Sequence, residues 1–118
     1  MTSEREKQPP PLSPALFHIL MALAGRDLHG YAIMQEISRQ SDGKYTLGPG
    51  TLYDNLQKVI RRKWVADLGH RPGDDDPRRR YYRLTPLGTS VLSAEVRRLE
   101  NVISGAKARL RSLKPRRA

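Results

Sequence analysis

The spacing of apolar positions changes several times along the chain, and each change marks an expected element. Met1 to Leu12 is polar and closes on Pro9, Pro10 and Pro11. Such a composition buries too little apolar surface to offset the entropy of ordering, so a flexible arm is expected. Ser13 and Pro14 read as a helix cap and first helical residue, and Ala15 to Ala24 is apolar on nearly every side until Gly25. A centrally buried helix follows from that pattern. A second helix is expected over about Gly30 to Gln40, where Ile33, Met34 and Ile37 recur at helical spacing while Gln35, Glu36 and Arg39 face water. Its start brings His29 and Gly30 close to the first helix. Asp42 and Gly43 form a turn, and Lys44 to Leu47 is a short extended piece.

A third helix opens at Gly48-Pro49-Gly50-Thr51 and places Leu52, Leu56, Val59 and Ile60 on one core face. Its other side offers Gly50, Thr51, Tyr53, Asp54, Asn55, Gln57, Lys58, Arg61 and Arg62. Two β-favouring stretches, Trp64 to Leu68 and Arg80 to Leu84, flank a polar tip from Gly69 to Pro77 that is too long for a tight turn. A hairpin with a mobile tip is expected. Thr85-Pro86 repeats the cap signal, and a last helix should run to about Lys114, before Pro115. Within it, Leu92, Val96, Leu99, Ile103, Ala106, Leu110 and Leu113 alternate steps of four and three, the a/d stripe of a coiled coil. At 1.5 Å per residue such a helix spans roughly 43 Å, more than a three-helix core covers, so its far end calls for a second copy.

The chain has 118 residues, enough for one domain. Its mean hydropathy of -0.66 points to a modest core with polar ends. The net charge of +10 is unevenly spread. Up to Ile60, six basic residues (Arg5, Lys7, Arg26, Arg39, Lys44, Lys58) cancel six acidic ones (Glu4, Glu6, Asp27, Glu36, Asp42, Asp54). The excess therefore lies beyond Ile60, with eight basic against four acidic residues over Arg61 to Arg83 and eight against one over Arg97 to Ala118. A polyanion suits that distribution, because each neutralised phosphate releases condensed counterions; a solvated basic surface is the alternative on charge alone.

The absence of cysteine excludes disulfides, thiolate zinc sites and a cysteine nucleophile, and fits a reducing compartment. Ala15 to Ala24 is too short for a bilayer, which takes about 20 residues, and resembles no signal peptide. A soluble, cytoplasmic protein without membrane contact is expected. His18, His29 and His70 lack metal-ligand spacing, and no nucleophile-base pair or phosphate-cradling loop occurs, so neither an enzyme nor a cofactor or metal is expected.

Three helices, a basic hairpin and a long helix, in that order, give a mainly α fold with a small β-hairpin. It is a winged helix-turn-helix, whose third helix enters the major groove while the wing straddles backbone. The expected organisation is an arm over 1–12, a DNA-binding domain over 13–85, a dimerisation helix over 86–114 and a basic tail over 115–118. Gly50, Thr51, Tyr53, Asp54, Asn55, Gln57, Lys58, Arg61 and Arg62 are the expected DNA contacts on the third helix, and Arg78, Arg79 and Arg80 those on the wing. Asn55 and Gln57 are assigned base readout. Asp74, Asp75 and Asp76 share the arginines' loop, so the acidic tip either turns away from DNA or pairs with those arginines in the free protein. Trp64, Tyr81 and Tyr82 on the hairpin are read as core packing.

Three stretches also carry a family resemblance: Leu28-His29-Gly30-Tyr31, Leu47-Gly48-Pro49-Gly50-Thr51-Leu52-Tyr53, and Tyr82-Arg83-Leu84-Thr85-Pro86-Leu87-Gly88. They resemble the signature stretches of the PadR family of bacterial transcriptional regulators, the type with a short C-terminal helix, over roughly Ser13 to Leu113. The resemblance implies a homodimer held by the C-terminal helix, binding a palindromic operator and repressing a neighbouring gene or its own. Asp54 stands where many relatives have proline; it is either an acceptor for a cytosine N4 or a stabilising charge near the helix start. Arg61, Arg62 and Lys63 replace acidic residues and a glycine, which implies a basic helix end with a weaker stop. The last helix has no Trp, Tyr or Phe, so the aromatic platform some relatives use for planar ligands is missing. A dimeric, sequence-specific regulator is the leading expectation, its affinity modulated by a small-molecule effector or by nothing. An architectural DNA-binding protein with little sequence preference is the alternative suggested by sixteen arginines, six lysines and the tail Lys114 to Arg117. A protein-interaction module built on the long helix is a third.

Overall fold

Side-chain acceptors mark most of the helix starts. In the computed structural model, which describes residues 11–113, Ser13 Oγ accepts from the Leu16 N–H at 3.2 Å and opens α1, Pro14–Ala22. After the two-residue strand β1, Leu28–His29, His29 Nδ1 accepts from the Ala32 N–H at 3.2 Å and caps α2, Gly30–Gln40. The third helix, α3, Pro49–Arg61, starts without a side-chain cap, on Gly48 with Pro49 in its first turn. The wing strands are β2, Val65–Gly69, and β3, Tyr81–Leu84; the last helix, α4, spans Pro86–Ser112 and is capped by Thr85.

The core lies where the first three helices meet. Ile19, Leu20 and Leu23 from α1 and its cap, Ile33 and Ile37 from α2, and Leu52, Leu56 and Val59 from α3 are almost fully buried. Trp64, Val65, Tyr82 and Val91 close it on the wing and α4 side. Each such aliphatic burial contributes about 1.5–3 kcal/mol over exposure, so the i, i+4, i+7 spacing in α3 fixes which side of that helix faces out. No helix among the described residues is long and apolar enough to cross a membrane.

The sheet has one strand more than the expected hairpin. Its order is β1-β3-β2, all antiparallel, with Leu28 opposite Tyr82 and His29 opposite Tyr81. A register shift between Asp67 and Gly69 bends β2; Gly69 takes φ 73°, and its N–H donates to Asp67 Oδ1 at 2.8 Å. Lys44 to Leu47 joins no strand; there the Tyr45 ring stacks on His18 at 4.5 Å between centroids.

The end of α3 is closed more firmly than its basic sequence suggests. Lys63 adopts φ 65°, its N–H donates to the Ile60 carbonyl at 3.0 Å, and the Trp64 N–H reaches the Val59 carbonyl at 2.9 Å. These two bonds form a Schellman motif with lysine at the left-handed position that glycine usually fills. A Cβ in that conformation costs on the order of 1–2 kcal/mol, partly offset by glycine's larger unfolded-state entropy. Lys63→Gly is therefore expected to stabilise the protein by about 0.5–1 kcal/mol, read as a higher urea midpoint at unchanged slope; a lower midpoint would contradict this account of the turn.

Only the first third of α4 packs on the domain, through Gly88, Val91, Leu92 and Glu95. Beyond it the helix projects, which accounts for a radius of gyration of 17.9 Å against about 13 Å for a compact chain of this size. It ends at Ser112; Lys114 and the tail lie outside the described residues, as do residues 1–10 of the arm. Leu12, assigned to that arm, packs against the core, and its N–H donates to the buried Glu95 at 3.2 Å. Arg98 also binds Glu95, at 2.8 and 2.7 Å, holding its carboxyl below the usual range despite burial.

Candidate nucleic-acid interface

With Leu52, Leu56 and Val59 buried, steps of about 100° per residue place Gly50, Asp54, Gln57, Lys58 and Arg61 at the centre of the outward face of α3. All five are exposed. The other expected contacts sit at its margins. Thr51 is exposed, while Asn55 is half-buried and donates its Nδ2 to the Thr51 carbonyl at 2.8 Å, which commits the amide to its own helix. Arg62 holds its guanidinium 5.1 Å from the Trp64 ring centroid, a cation–π contact on the wing side. Lys58, Arg61, Arg62 and Lys63 have no carboxylate partner among the described residues, so the positive charge at this helix end is uncompensated.

Tyr53 occupies the opposite margin. Its phenol lies against Gly30, where a Cβ would collide with the hydroxyl, yet the residue stays 45% exposed. Gly30 is thus set by α3, whereas the sequence reading placed it close to the first helix. Between this corner and the wing lies an open groove of about 560 Å³, lined among others by Tyr31, Tyr53, Asp76, Arg78, Arg80 and Tyr82. Beside it, burial and the nearby Arg79 hold the His29 imidazole below its ordinary pKa, consistent with Nδ1 serving as an acceptor at the helix start.

Of the two alternatives for the acidic tip, pairing is found for Asp74 and Asp76, while Asp75 is exposed and pairs with no arginine among the described residues. Arg78 meets Asp76 at 3.3 Å, Arg79 meets Asp74 at 3.2 Å, and Arg80 meets Asp67 at 3.1 Å. Arg83 meets Asp27 at 2.8 Å, and Arg71 lies 3.7 Å from the same carboxylate with its guanidinium over the Tyr81 ring. Asp74 also accepts the Tyr81 hydroxyl at 2.6 Å. That bond leads the causes holding the Asp74 carboxyl below its usual range, and it pushes the Tyr81 phenol up. Asp76 is lowered chiefly by the Arg78 N–H. Asp74 and Asp76 thus serve different partners. Five arginines on the wing and its strands (Arg71, Arg78, Arg79, Arg80, Arg83) are matched by five carboxylates (Asp27, Asp67, Asp74, Asp75, Asp76), so this region carries no net charge.

Of the hairpin aromatics, Trp64 and Tyr82 are buried as expected, while Tyr81 is half-buried, edge-on to His29 at 5.4 Å. The sequence reading missed Asp27, Asp67 and Tyr31. Tyr31, 62% exposed at the groove, stood within a quoted motif; Asp27 carried no local signal, because its partner Arg83 is 56 residues away.

Along α4, Leu92 and Leu99 are partly covered, whereas Val96, Ile103, Ala106, Leu110 and Leu113 are exposed. Taken at 100° per residue, the expected stripe is centred about 60° away from the face formed by Gly88, Val91 and Glu95. The stripe begins at Leu92, which packs against the core, and from Val96 onward it runs beside the face packed on the domain.

Three core helices, a paired wing and a projecting terminal helix define a winged helix protein. More narrowly, the chain belongs to the Transcriptional regulator PadR-like family, whose model matches residues 19–94, a family of regulators and not of enzymes. It is 34% identical over 85 residues to the transcriptional regulator Rv3488 of Mycobacterium tuberculosis, covering 72% of this chain and 75% of that protein. The fold is similar to a PadR family transcription regulator from Clostridium difficile R20291, with a TM-score of 0.71 and 20% identity over 83% of this chain and 99% of the other. It is also similar to Bacillus subtilis PadR in complex with operator DNA, with a TM-score of 0.63 and 19% identity over 73% of this chain and 48% of that one.

Proposed function

We propose that this regulator is a homodimeric, sequence-specific DNA-binding repressor of the bacterial cytoplasm that engages an inverted-repeat operator. The observation that carries the reading is the outward face of α3, where exposed Gln57 and Asp54 lie among the uncompensated Lys58 and Arg61. Polar groups suited to base edges are thereby surrounded by cations suited to phosphates. That Bacillus subtilis PadR, which has a similar fold, is found in complex with operator DNA supports DNA as the partner. Base readout rests on Gln57 and Asp54, with Asn55 reassigned to the helix itself. Relief by a small-molecule effector belongs to the reading through the family, and such an effector binds without aromatic stacking on α4.

Architectural binding has one observation in its favour: Arg97, Lys107, Arg109 and Arg111 on α4 also lack carboxylate partners among the described residues. Selection of bound duplexes from a random pool at about 150 mM salt, where the Debye length is near 8 Å, separates the two. An enriched inverted repeat, bound on the order of 10³-fold or more tighter than random sequence, is expected of the regulator. Binding without enrichment supports the architectural protein instead.

A further inference from the structure

The wing carboxylates differ in how firmly they are held. The Asp74 side chain is 4% exposed and fixed by both Tyr81 and Arg79. Asp76 faces the groove, and its partner Arg78 is 90% exposed. One oxygen, Asp76 Oδ1, accepts from the Arg78 backbone N–H at 2.9 Å and from the Arg78 Nε at 3.3 Å. A carboxylate therefore sits on a guanidinium in a groove that joins α3, through Tyr53, to the wing.

We propose that this groove is a phosphodiester subsite whose anion position is filled by Asp76 in the free protein, and that DNA binding exchanges this carboxylate for a backbone phosphate at Arg78. The inference rests on the DNA-binding reading above. Carboxylate and phosphodiester both offer a guanidinium two acceptor oxygens, and the Tyr31 and Tyr53 hydroxyls on the groove wall are available to donate to a phosphate. An exposed ion pair is weak, so the exchange costs little. Asp76 keeps its bond to the Arg78 N–H throughout, which holds the loop while the guanidinium changes partner. Because the freed carboxylate takes up a cation as the phosphate releases one, this contact adds almost nothing to the salt dependence. The wing thus tests for a phosphate in the right place and gives little attraction to DNA at large.

The test is a set of anisotropy titrations of the full chain, as wild type, Asp76→Asn, Asp75→Asn, Arg78→Ala and Asp76→Asn/Arg78→Ala. Each is measured with a random-sequence duplex and a selected one across 50–200 mM salt. Asparagine still accepts the Arg78 N–H, so the loop is kept. Asp76→Asn is expected to tighten binding about two- to fivefold on both duplexes and to steepen the salt slope by about one. Arg78→Ala should abolish that gain, leaving the double variant equal to Arg78→Ala alone. An unchanged or weaker Asp76→Asn overturns the exchange, as does an equal gain from the exposed Asp75→Asn or a gain that survives in the Arg78→Ala background. Wild-type protein that binds neither duplex overturns the parent reading as well, an outcome distinct from binding that Asp76→Asn leaves unaltered.

Discussion

Aspartate at Leu99 and Leu110 is expected to convert the protein to a folded monomer whose affinity for a full inverted repeat falls at least about 100-fold. Both positions lie on the α4 stripe, where Val96, Ile103, Leu110 and Leu113 are 39%, 52%, 66% and 69% exposed. In the homodimer proposed above, two copies of this stripe meet in a self-complementary contact of the two-fold kind. Covering each large aliphatic side chain contributes about 1.5–3 kcal/mol, and the double substitution removes four such groups per dimer while adding four carboxylates. The domain should survive, because α4 packs on it through Gly88, Val91, Leu92 and Glu95, and neither substituted residue belongs to that core. Half-sites about 34–36 Å apart are then engaged one at a time, and the avidity of a linked pair is lost. Sedimentation velocity and titration of the selected repeat read the two effects. A variant that remains dimeric places the interface elsewhere, and a monomer that binds the repeat as tightly as wild type breaks the link between dimer and operator.

Periodicity made the helical half of this molecule readable. Leu52, Leu56 and Val59 announce both the third helix and its buried side, and Ser13-Pro14 and Thr85-Pro86 mark helix starts that side-chain acceptors then occupy. β1 was invisible because two residues carry no period; Leu28 and His29 become a strand only through pairing with Tyr82 and Tyr81. The interface was legible as a helix face and a run of arginines, but not as a geometry. Counting every polar residue of α3 as outward included Asn55 and Arg62, which the wheel puts toward the margins, where they bond to Thr51 and pack on Trp64. The pairing of Arg83 with Asp27 depends on β3 lying beside β1, a tertiary fact with no trace in local sequence. The segregated charge likewise gave the wing a positive character that its carboxylates cancel, leaving the uncompensated cations on α3, α4 and the Arg62–Lys63 turn.

A single methyl group at Gly88 is expected to destabilise the domain by about 2–3 kcal/mol, lowering the melting temperature by about 10–20 °C. Gly88 is buried in the first turn of α4, and a Cβ there would overlap the Trp64 carbonyl group and crowd the Leu84 side chain. That carbonyl cannot move aside cheaply, because it accepts from both the Thr85 N–H and the Thr85 hydroxyl at 3.0 Å, and Thr85 in turn caps α4 through the Gly88 N–H. Alanine's helix preference returns at most about 1 kcal/mol, too little to offset a clash with fixed backbone. Gly30→Ala makes the informative comparison, since there the methyl group meets the free end of the Tyr53 ring, which is half exposed and can swing away. It should cost far less stability while shifting Tyr53 from the groove wall. Equal urea midpoints for Gly88→Ala and wild type would mean that α4 does not seat on Trp64, the residue before β2, through this contact; a large loss confined to Gly88 ties the base of the projecting helix to the root of the wing, so that the orientation of one sets the position of the other.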